Sequence, residues 1–159
     1  MICAKNNKIE QLKTFLYEEF EAATIDDAVK TAINSLKMTK EEIKIKILTE
    51  GQLGLFGLKG EKPAKIQVSP KFNKVDTVIK FYFIKLLDFV KEYISFVNIE
   101  IENKIVNITV IFSEQAALKK VLSNVVYKSV LILTECFVEQ LLPQHKIVLN
   151  LKSSNSIPK

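Results

Sequence analysis

Glycine is the residue type that most constrains this chain, because all four glycines lie between residues 51 and 60. A residue without Cβ can adopt positive φ and lets another backbone approach closely, so such a cluster predicts one conformationally demanding loop. The segment is unusually apolar for a loop and reads Gly51-Gln-Leu-Gly54-Leu-Phe56-Gly57-Leu-Lys-Gly60. Two interpretations stay open: the loop folds back and buries its apolar side chains, or it presents them to a partner.

The residues around this loop have the pattern of a small α+β unit. Thr24, followed three residues later by Asp27, predicts the capped start of an amphipathic helix over 24–38. Isoleucines alternate with lysines over 43–50, and alternation resumes after Pro63, so both stretches are predicted strands. The aromatic-rich stretch 14–21 is a third predicted strand. We therefore expect a three-stranded sheet with one helix over 14–69, preceded by a frayed or briefly helical tail at 1–13.

The second half predicts a different order of elements, after a linker at 70–76. The stretch 75–96 is apolar nearly all round, which predicts a helix buried on more than one side, against the first unit or a partner subunit. Two strands follow, joined by a tight hairpin at Asn103-Lys104, then two helices, and a last strand. The predicted ranges are 97–102 and 105–112 for the strands, 114–122 and 125–142 for the helices, and 146–152 for the last strand. We assign residues 77–152 to this second domain and expect 153–159 to be disordered.

The first unit resembles the N-terminal domain of the bacterial Jag (SpoIIIJ-associated) family. The resemblance rests on the order helix, strand, glycine loop and strand, and on the loop sequence Gln52-Leu53-Gly54-Leu55-Phe56-Gly57 followed by Lys62-Pro63-Ala64. It covers roughly residues 14–69. It implies that Gly51, together with the residues of this loop motif, is characteristic of the domain.

The second unit is similar to a type II KH domain (α-β-β-α-α-β), which follows the N-terminal domain in Jag proteins. A KH domain binds single-stranded RNA through a GXXG loop between its consecutive helices. This sequence has no glycine after Gly60, and alignment places Val121-Leu122-Ser123-Asn124 on those four positions. The resemblance therefore implies a KH-like domain with a degenerate loop. Because the sequence has no arginine, we also expect no Arg-xxx-His single-strand-binding domain, which usually follows in the family.

Lysines surround the degenerate loop and make it the candidate nucleic-acid site. Lys119, Lys120 and Lys128 could surround a phosphate, with Ser123 and Asn124 capping the second helix. The alternative interpretation is a solvated lysine cluster with no ligand.

The net charge of the chain is compatible with an anionic partner but does not by itself indicate one. Residues 1–70 carry 11 lysines and 10 acids, whereas residues 71–159 carry 12 lysines and 8 acids, so the net charge of +5 belongs mainly to the second unit. The chain has no arginine, and lysine neutralises phosphate only as a point charge. Salt-sensitive binding of single-stranded RNA is the expectation that follows.

The cysteines and apolar runs indicate a cytoplasmic protein. Cys3 and Cys136 form neither a disulfide framework nor a metal-ligand spacing, and Cys136 is expected to be a buried, inert thiol. No apolar run reaches the roughly 20 residues that span a bilayer, and the N-terminus lacks the apolar core of a signal peptide. We expect no membrane span.

No pattern of catalytic or metal-ligating residues emerges. His145 is the only histidine, and the glycine loop lacks the Gly-Lys-Ser/Thr ending of a phosphate loop. We predict no enzyme, no metal and no cofactor.

Two functional hypotheses remain. In the first, the resemblance implies an RNA-associated regulatory protein of the bacterial cytosol, linked to cell-envelope growth or division. In the second, the protein is an interaction adaptor whose KH-like domain has lost RNA binding. It would then use the Phe56 loop and the helix from Val75 for docking to a second KH protein, or for dimerisation with its own copy.

Overall fold

A computed structural model describes residues 10–51 and 62–154. The first part contains strands β1 (Glu18–Ala22), β2 (Ile43–Thr49) and β3 (Ala64–Pro70), with helix α1 (Ile25–Leu36) between β1 and β2. The sheet is antiparallel throughout, and its order is β1-β3-β2. The predicted three-stranded sheet with one helix is confirmed, and β3 is its central strand.

The start of α1 forms as its sequence predicts. The backbone N–H of Asp27 donates to the hydroxyl oxygen of Thr24 (3.1 Å), and that hydroxyl donates to the Asp27 carboxylate (2.8 Å). This second hydrogen bond lowers the pKa of Asp27 below its usual value. Helix α1 ends at Leu36, two residues before the predicted end at 38, and Lys37 is its C-cap in the left-handed conformation (φ 50°). Three residues of α1 are buried against the sheet: Ala28, Ala32 and Leu36.

The strand predicted over 14–21 is wrong for its first four residues. Residues 10–15 are helical, and strand β1 begins only at Glu18. Leu12 and Leu16, four residues apart, are both buried, which is the spacing of one helical face. Packing of this face outweighs the strand propensity of the neighbouring aromatic residues.

The second part contains helix α2 (Val75–Leu86), a 3-10 helix (Asp88–Tyr93), strands β4 (Ile94–Glu102) and β5 (Ile105–Phe112), helices α3 (Gln115–Val121) and α4 (Asn124–Leu141), and strand β6 (Lys146–Ser153). Its sheet has the order β4-β5-β6, in which β4 and β5 are antiparallel and β5 and β6 are parallel. An α+β fold with the predicted order of elements is therefore confirmed.

The single helix predicted over 75–96 is wrong beyond Leu86. Leu87 donates its backbone N–H to both Phe83 and Ile84 carbonyls, tightening the last turn into the short 3-10 helix. From Ile94 onward the backbone pairs with β5, and Ser113 donates two hydrogen bonds to the Tyr93 carbonyl (2.8 and 3.1 Å). Long-range strand pairing thus overrides the local helical periodicity.

Helix α2 is buried on several sides by this same chain. It contacts α1 and β3 of the first part, and β4 and α4 of the second. Lys80 bridges to Glu42 (2.9 Å), and Lys85 donates to the Tyr17 carbonyl (2.8 Å), so polar contacts also join the two parts. The buried apolar residues form one continuous cluster. Packing against the first unit therefore accounts for the all-round apolar character of α2.

Within the described residues, no single helix has the length and apolar character needed to cross a membrane. Helices α3 and α4 taken together have that length and apolar composition, but they are bent by 71° at their junction.

Candidate nucleic-acid interface

The α3–α4 junction brings all five predicted nucleic-acid-binding residues into one short segment. Helix α3 ends at Val121, Leu122 is its C-cap, and Ser123 is the N-cap of α4. Lys119 and Lys120 lie in the last turn of α3, Asn124 begins α4, and Lys128 lies in its second turn. The side chains of all three lysines are exposed.

The segment that forms this junction carries an excess of positive charge. Residues 115–134 contain three lysines and no acidic residue. Among residues 10–51 and 62–154, none of these lysines forms an ion pair. The partial positive charge at the N-terminus of the 18-residue helix α4 adds to theirs. This arrangement suits contact with an anion such as a phosphate.

The expected cap of α4 forms only in its backbone part. Ser123 occupies the N-cap position and its carbonyl accepts from the Tyr127 N–H (2.9 Å), but its side chain makes no capping hydrogen bond. Asn124 is already helical, so the prediction that both side chains cap this helix is wrong. The terminal N–H groups of α4 are therefore not covered by the Ser123 hydroxyl.

Residues in and beside the segment aligned with the GXXG loop differ in solvent exposure. Val121 is fully buried in the core, whereas Leu122 is 49% and Val125 77% exposed. Lys120 places its ammonium 5.6 Å from the centroid of the Phe89 ring, which is itself 45% exposed. Phe89 is a neighbour that the sequence did not indicate, because it belongs to the 3-10 helix that replaces the predicted helical turn.

The described ends of the glycine loop show why it begins with glycine. Gly51 has φ +82°, and a Cβ there would lie 2.9 Å from the Ala64 nitrogen and 3.1 Å from the Lys62 oxygen. Both the backbone conformation and the close approach therefore require glycine. Pro63 precedes β3, where a missing N–H is tolerated, and Ala64 is fully buried at the first position of that strand. Gly54, Phe56 and Gly57 lie outside the described residues.

A second basic site, which the sequence did not single out, lies on the first sheet. Lys44 and Lys46 of β2 line a cleft together with Lys13, Tyr17 and Phe72. The alternation of lysine with isoleucine in β2 was the available signal, but it predicted only a strand. The aromatic wall comes from segments far apart in sequence.

The prediction that Cys136 is buried is wrong. Its thiol is exposed on α4, because α4 packs through other positions that include Val130, Phe137 and Val138. Cys136 lines a cavity of about 510 Å³, whose other residues are Glu135, Glu139, His145, Lys146 and Ile147. Two carboxylates at this cavity oppose phosphate binding, and one of them, Glu139, accepts from the Gln144 N–H.

Metal-binding geometry does not occur in the part of the chain that the structure describes. No group of three or more histidine, cysteine, aspartate or glutamate side chains there could hold a metal ion. The His145 ring nitrogen Nδ1 lies 3.2 Å from the Pro143 carbonyl oxygen, a local contact that orients the ring.

Comparison with known proteins places the first part of the chain in a family. Residues 20–70 match the family described as Jag N-terminus. A relative from Bacillus subtilis, named RNA-binding protein KhpB, is 31% identical over 51 residues. This match covers 32% of the present chain and 24% of the relative, so the chain spans about a quarter of the length of that protein. Residues 20–70 of the chain therefore match a Jag N-terminal domain.

Proposed function

We propose that this chain is an RNA-associated regulatory protein of the bacterial cytosol, linked to cell-envelope growth or division, and that the α3–α4 junction contacts single-stranded RNA. The observation that carries the proposal is the exposed cluster of Lys119, Lys120 and Lys128 at the start of a long helix, in a segment without acids. The B. subtilis relative is named an RNA-binding protein, which supports the same partner class.

The arrangement of the second part supports a KH-like domain. Its elements run helix, strand, strand, helix, helix, strand, and its sheet is mixed, with β5 parallel to β6. In a KH domain the consecutive helices present the RNA-binding loop. Here Val121 and Asn124 stand at the two glycine positions of the corresponding turn, so contact with the RNA backbone would depend on lysine side chains.

The direct test is salt-dependent binding of labelled single-stranded RNA. We expect the double variant Lys119→Glu with Lys120→Glu to lose binding, because it reverses two of the three charges at the junction. Lys30→Glu with Lys40→Glu is the matched control, since it changes net charge equally at two exposed positions of the first part. Fluorescence anisotropy at low salt measures both. Equal affinities of the two variants would contradict the proposed site.

The second candidate function is an interaction adaptor that no longer binds RNA. The exposed apolar side chains of Leu122, Val125 and Phe89 favour it, because exposed apolar residues in or near the α3–α4 junction suit contact with a protein. Its partner would be a second KH protein or another copy of this chain. Absence of RNA binding by the wild-type chain at low salt, together with dimers in analytical ultracentrifugation that Val125→Asp abolishes, would favour the adaptor.

A further inference from the structure

The solvent-facing side of the first sheet carries lysines on one strand opposite uncharged polar residues on the next. Alternate residues of β2 and β3 point away from the core, and the register pairs Lys44 with Ser69 and Lys46 with Gln67. The intervening residues, such as Ile66 and Val68, are buried in the core. Two lysines, an amide and a hydroxyl thus form a polar floor on adjacent strands.

Two aromatic residues and a third lysine form the sides of a cleft above this polar floor. Tyr17 precedes β1, Phe72 follows β3, and Lys13 comes from the helical residues 10–15. Together with the floor they enclose a cleft of about 220 Å³. The Lys13 ammonium lies 6.0 Å from the centroid of the Phe72 ring. Both aromatic side chains remain partly exposed, so their rings are accessible to a ligand.

Charge is unevenly compensated across this face. On the β1 side, Lys65 is neutralised by Glu19 (2.8 Å) and Glu21 (3.1 Å). Hydrogen bonds to these carboxylates raise the pKa of Lys65, first through Glu19. On the β2 side, Lys44 and Lys46 form no ion pair with any described residue, and Lys13 pairs only with Glu10. The cleft therefore keeps excess positive charge.

Contacts with the second part hold the walls of the cleft in place. Lys85 of α2 donates to the Tyr17 carbonyl (2.8 Å). Next to Phe72, the Lys71 N–H donates to the Glu42 carbonyl (2.9 Å), and the Glu42 carboxylate is paired with Lys80. A ligand entering the cleft would meet walls whose backbone is already positioned, which reduces the entropy lost on binding.

We propose that this cleft binds one nucleotide of a single-stranded RNA, with lysines at the phosphate and Tyr17 or Phe72 stacked on the base. Lysine-lined grooves with aromatic rings are the general arrangement for single strands, because every base has a face that can stack. The Gln67 amide and the Ser69 hydroxyl offer hydrogen bonds to a base edge. An acidic protein segment would use the lysines but leave the aromatic wall without a role.

The cleft is too small to enclose a whole drug-sized ligand, so it would hold only part of a longer strand. It is smaller than the roughly 300–1,000 Å³ of pockets that enclose a drug-sized ligand. The inference rests on the proposed function, since it gives the same RNA a second contact on the Jag N-terminal domain, separate from the α3–α4 junction.

The test compares salt dependence among full-length variants. The probe is a fluorescein-labelled polyuridine of about 16 nucleotides, titrated between about 50 and 200 mM salt. Each phosphate contact adds about 0.7 to the steepness of log K against log salt for a single strand. Lys44→Gln with Lys46→Gln removes the contact with one phosphate and should therefore reduce the slope by about 0.7. Lys30→Gln with Lys40→Gln should leave the slope unchanged. Phe72→Leu should weaken binding by about 5-fold or more at constant salt, through loss of stacking.

The outcomes separate this inference from the proposed function. If the wild type binds RNA and Lys119→Glu with Lys120→Glu abolishes binding, but the cleft variant keeps the wild-type slope, the cleft inference alone fails. If the wild type does not bind RNA at the lowest salt, both fail. A third outcome is that the wild type binds polyglutamate, and that the Lys44→Gln, Lys46→Gln variant loses this binding but keeps the wild-type RNA slope. That result would overturn the inference in favour of an acidic protein segment.

Discussion

At the scale of single residues, Gly51 occupies a backbone position that only glycine can adopt without strain. Its positive φ and the 2.9 Å approach of the Ala64 nitrogen leave no room for a side chain. Because Ala64 begins the central strand β3, Gly51 sets how the chain ends β2 and re-enters the sheet.

We expect Gly51→Ala to destabilise the protein by at least about 2 kcal/mol, the sum of left-handed backbone strain and steric overlap. For a chain of this size the melting temperature should fall by about 4–8 °C. Circular dichroism on heating measures the change, and Lys62→Ala, an exposed neighbour, serves as control. A melting temperature equal to that of the wild type would show that the position tolerates Cβ.

At the scale of elements, the hairpin between β4 and β5 has a strained turn, because all four glycines of the chain lie in another loop. Its turn residues Asn103 and Lys104 both adopt positive φ (49° and 63°). Turns of this kind favour glycine at the second position, and asparagine tolerates the conformation better than lysine does. The hairpin nevertheless forms where the sequence predicted it, since the long β4–β5 pairing compensates for the strained turn.

Lys104→Gly should therefore stabilise the protein, by about 0.5–1 kcal/mol, because relief of backbone strain exceeds the entropy that glycine loses on folding. The hydrogen bond from the Lys146 N–H to the residue 104 carbonyl does not depend on the side chain. Urea denaturation measures the gain. Lys152→Gly, within β6, should instead lower the midpoint, as expected for glycine in a strand. A lower midpoint for Lys104→Gly would contradict the strain argument.

At the scale of the whole molecule, α2 joins the two sheets into one core. It contacts elements on both sides, and Phe81 and Phe83 within it are fully buried. The two predicted domains are therefore in extensive contact, and their predicted boundary at 70–76 begins inside β3, which extends through Pro70. A shared core implies that the stability of one part depends on the other.

Phe83→Ala should cost about 3–5 kcal/mol, a large share of the roughly 5–15 kcal/mol that stabilises a typical protein. It should shift one cooperative transition for the whole chain. Urea unfolding followed both by circular dichroism and by tyrosine fluorescence tests this, with the exposed Phe89→Ala as a mild control. Two separate transitions, of which the variant shifts only one, would contradict the shared core.

The candidate sites were predictable to different extents. The lysines of the α3–α4 junction could be proposed from sequence because all of them lie within ten residues, so no long-range contact was needed to bring them together. The cleft on the first sheet was missed because its lysines, Tyr17 and Phe72 come from three segments that meet only through strand pairing. Cys136 was misplaced because the choice of buried face on α4 depends on what packs against it.

The sequence by itself determined the elements whose periodicity and caps are local, including α1, β5 and the hairpin between β4 and β5. Local hydrogen bonds and side-chain alternation suffice for these, since they act within a few residues. Only the tertiary structure decided where α2 ends, that residues 10–15 are helical, and which lysines share a cleft with aromatic rings. These depend on pairing with distant strands and on burial in a common core, whose free energy exceeds local propensity.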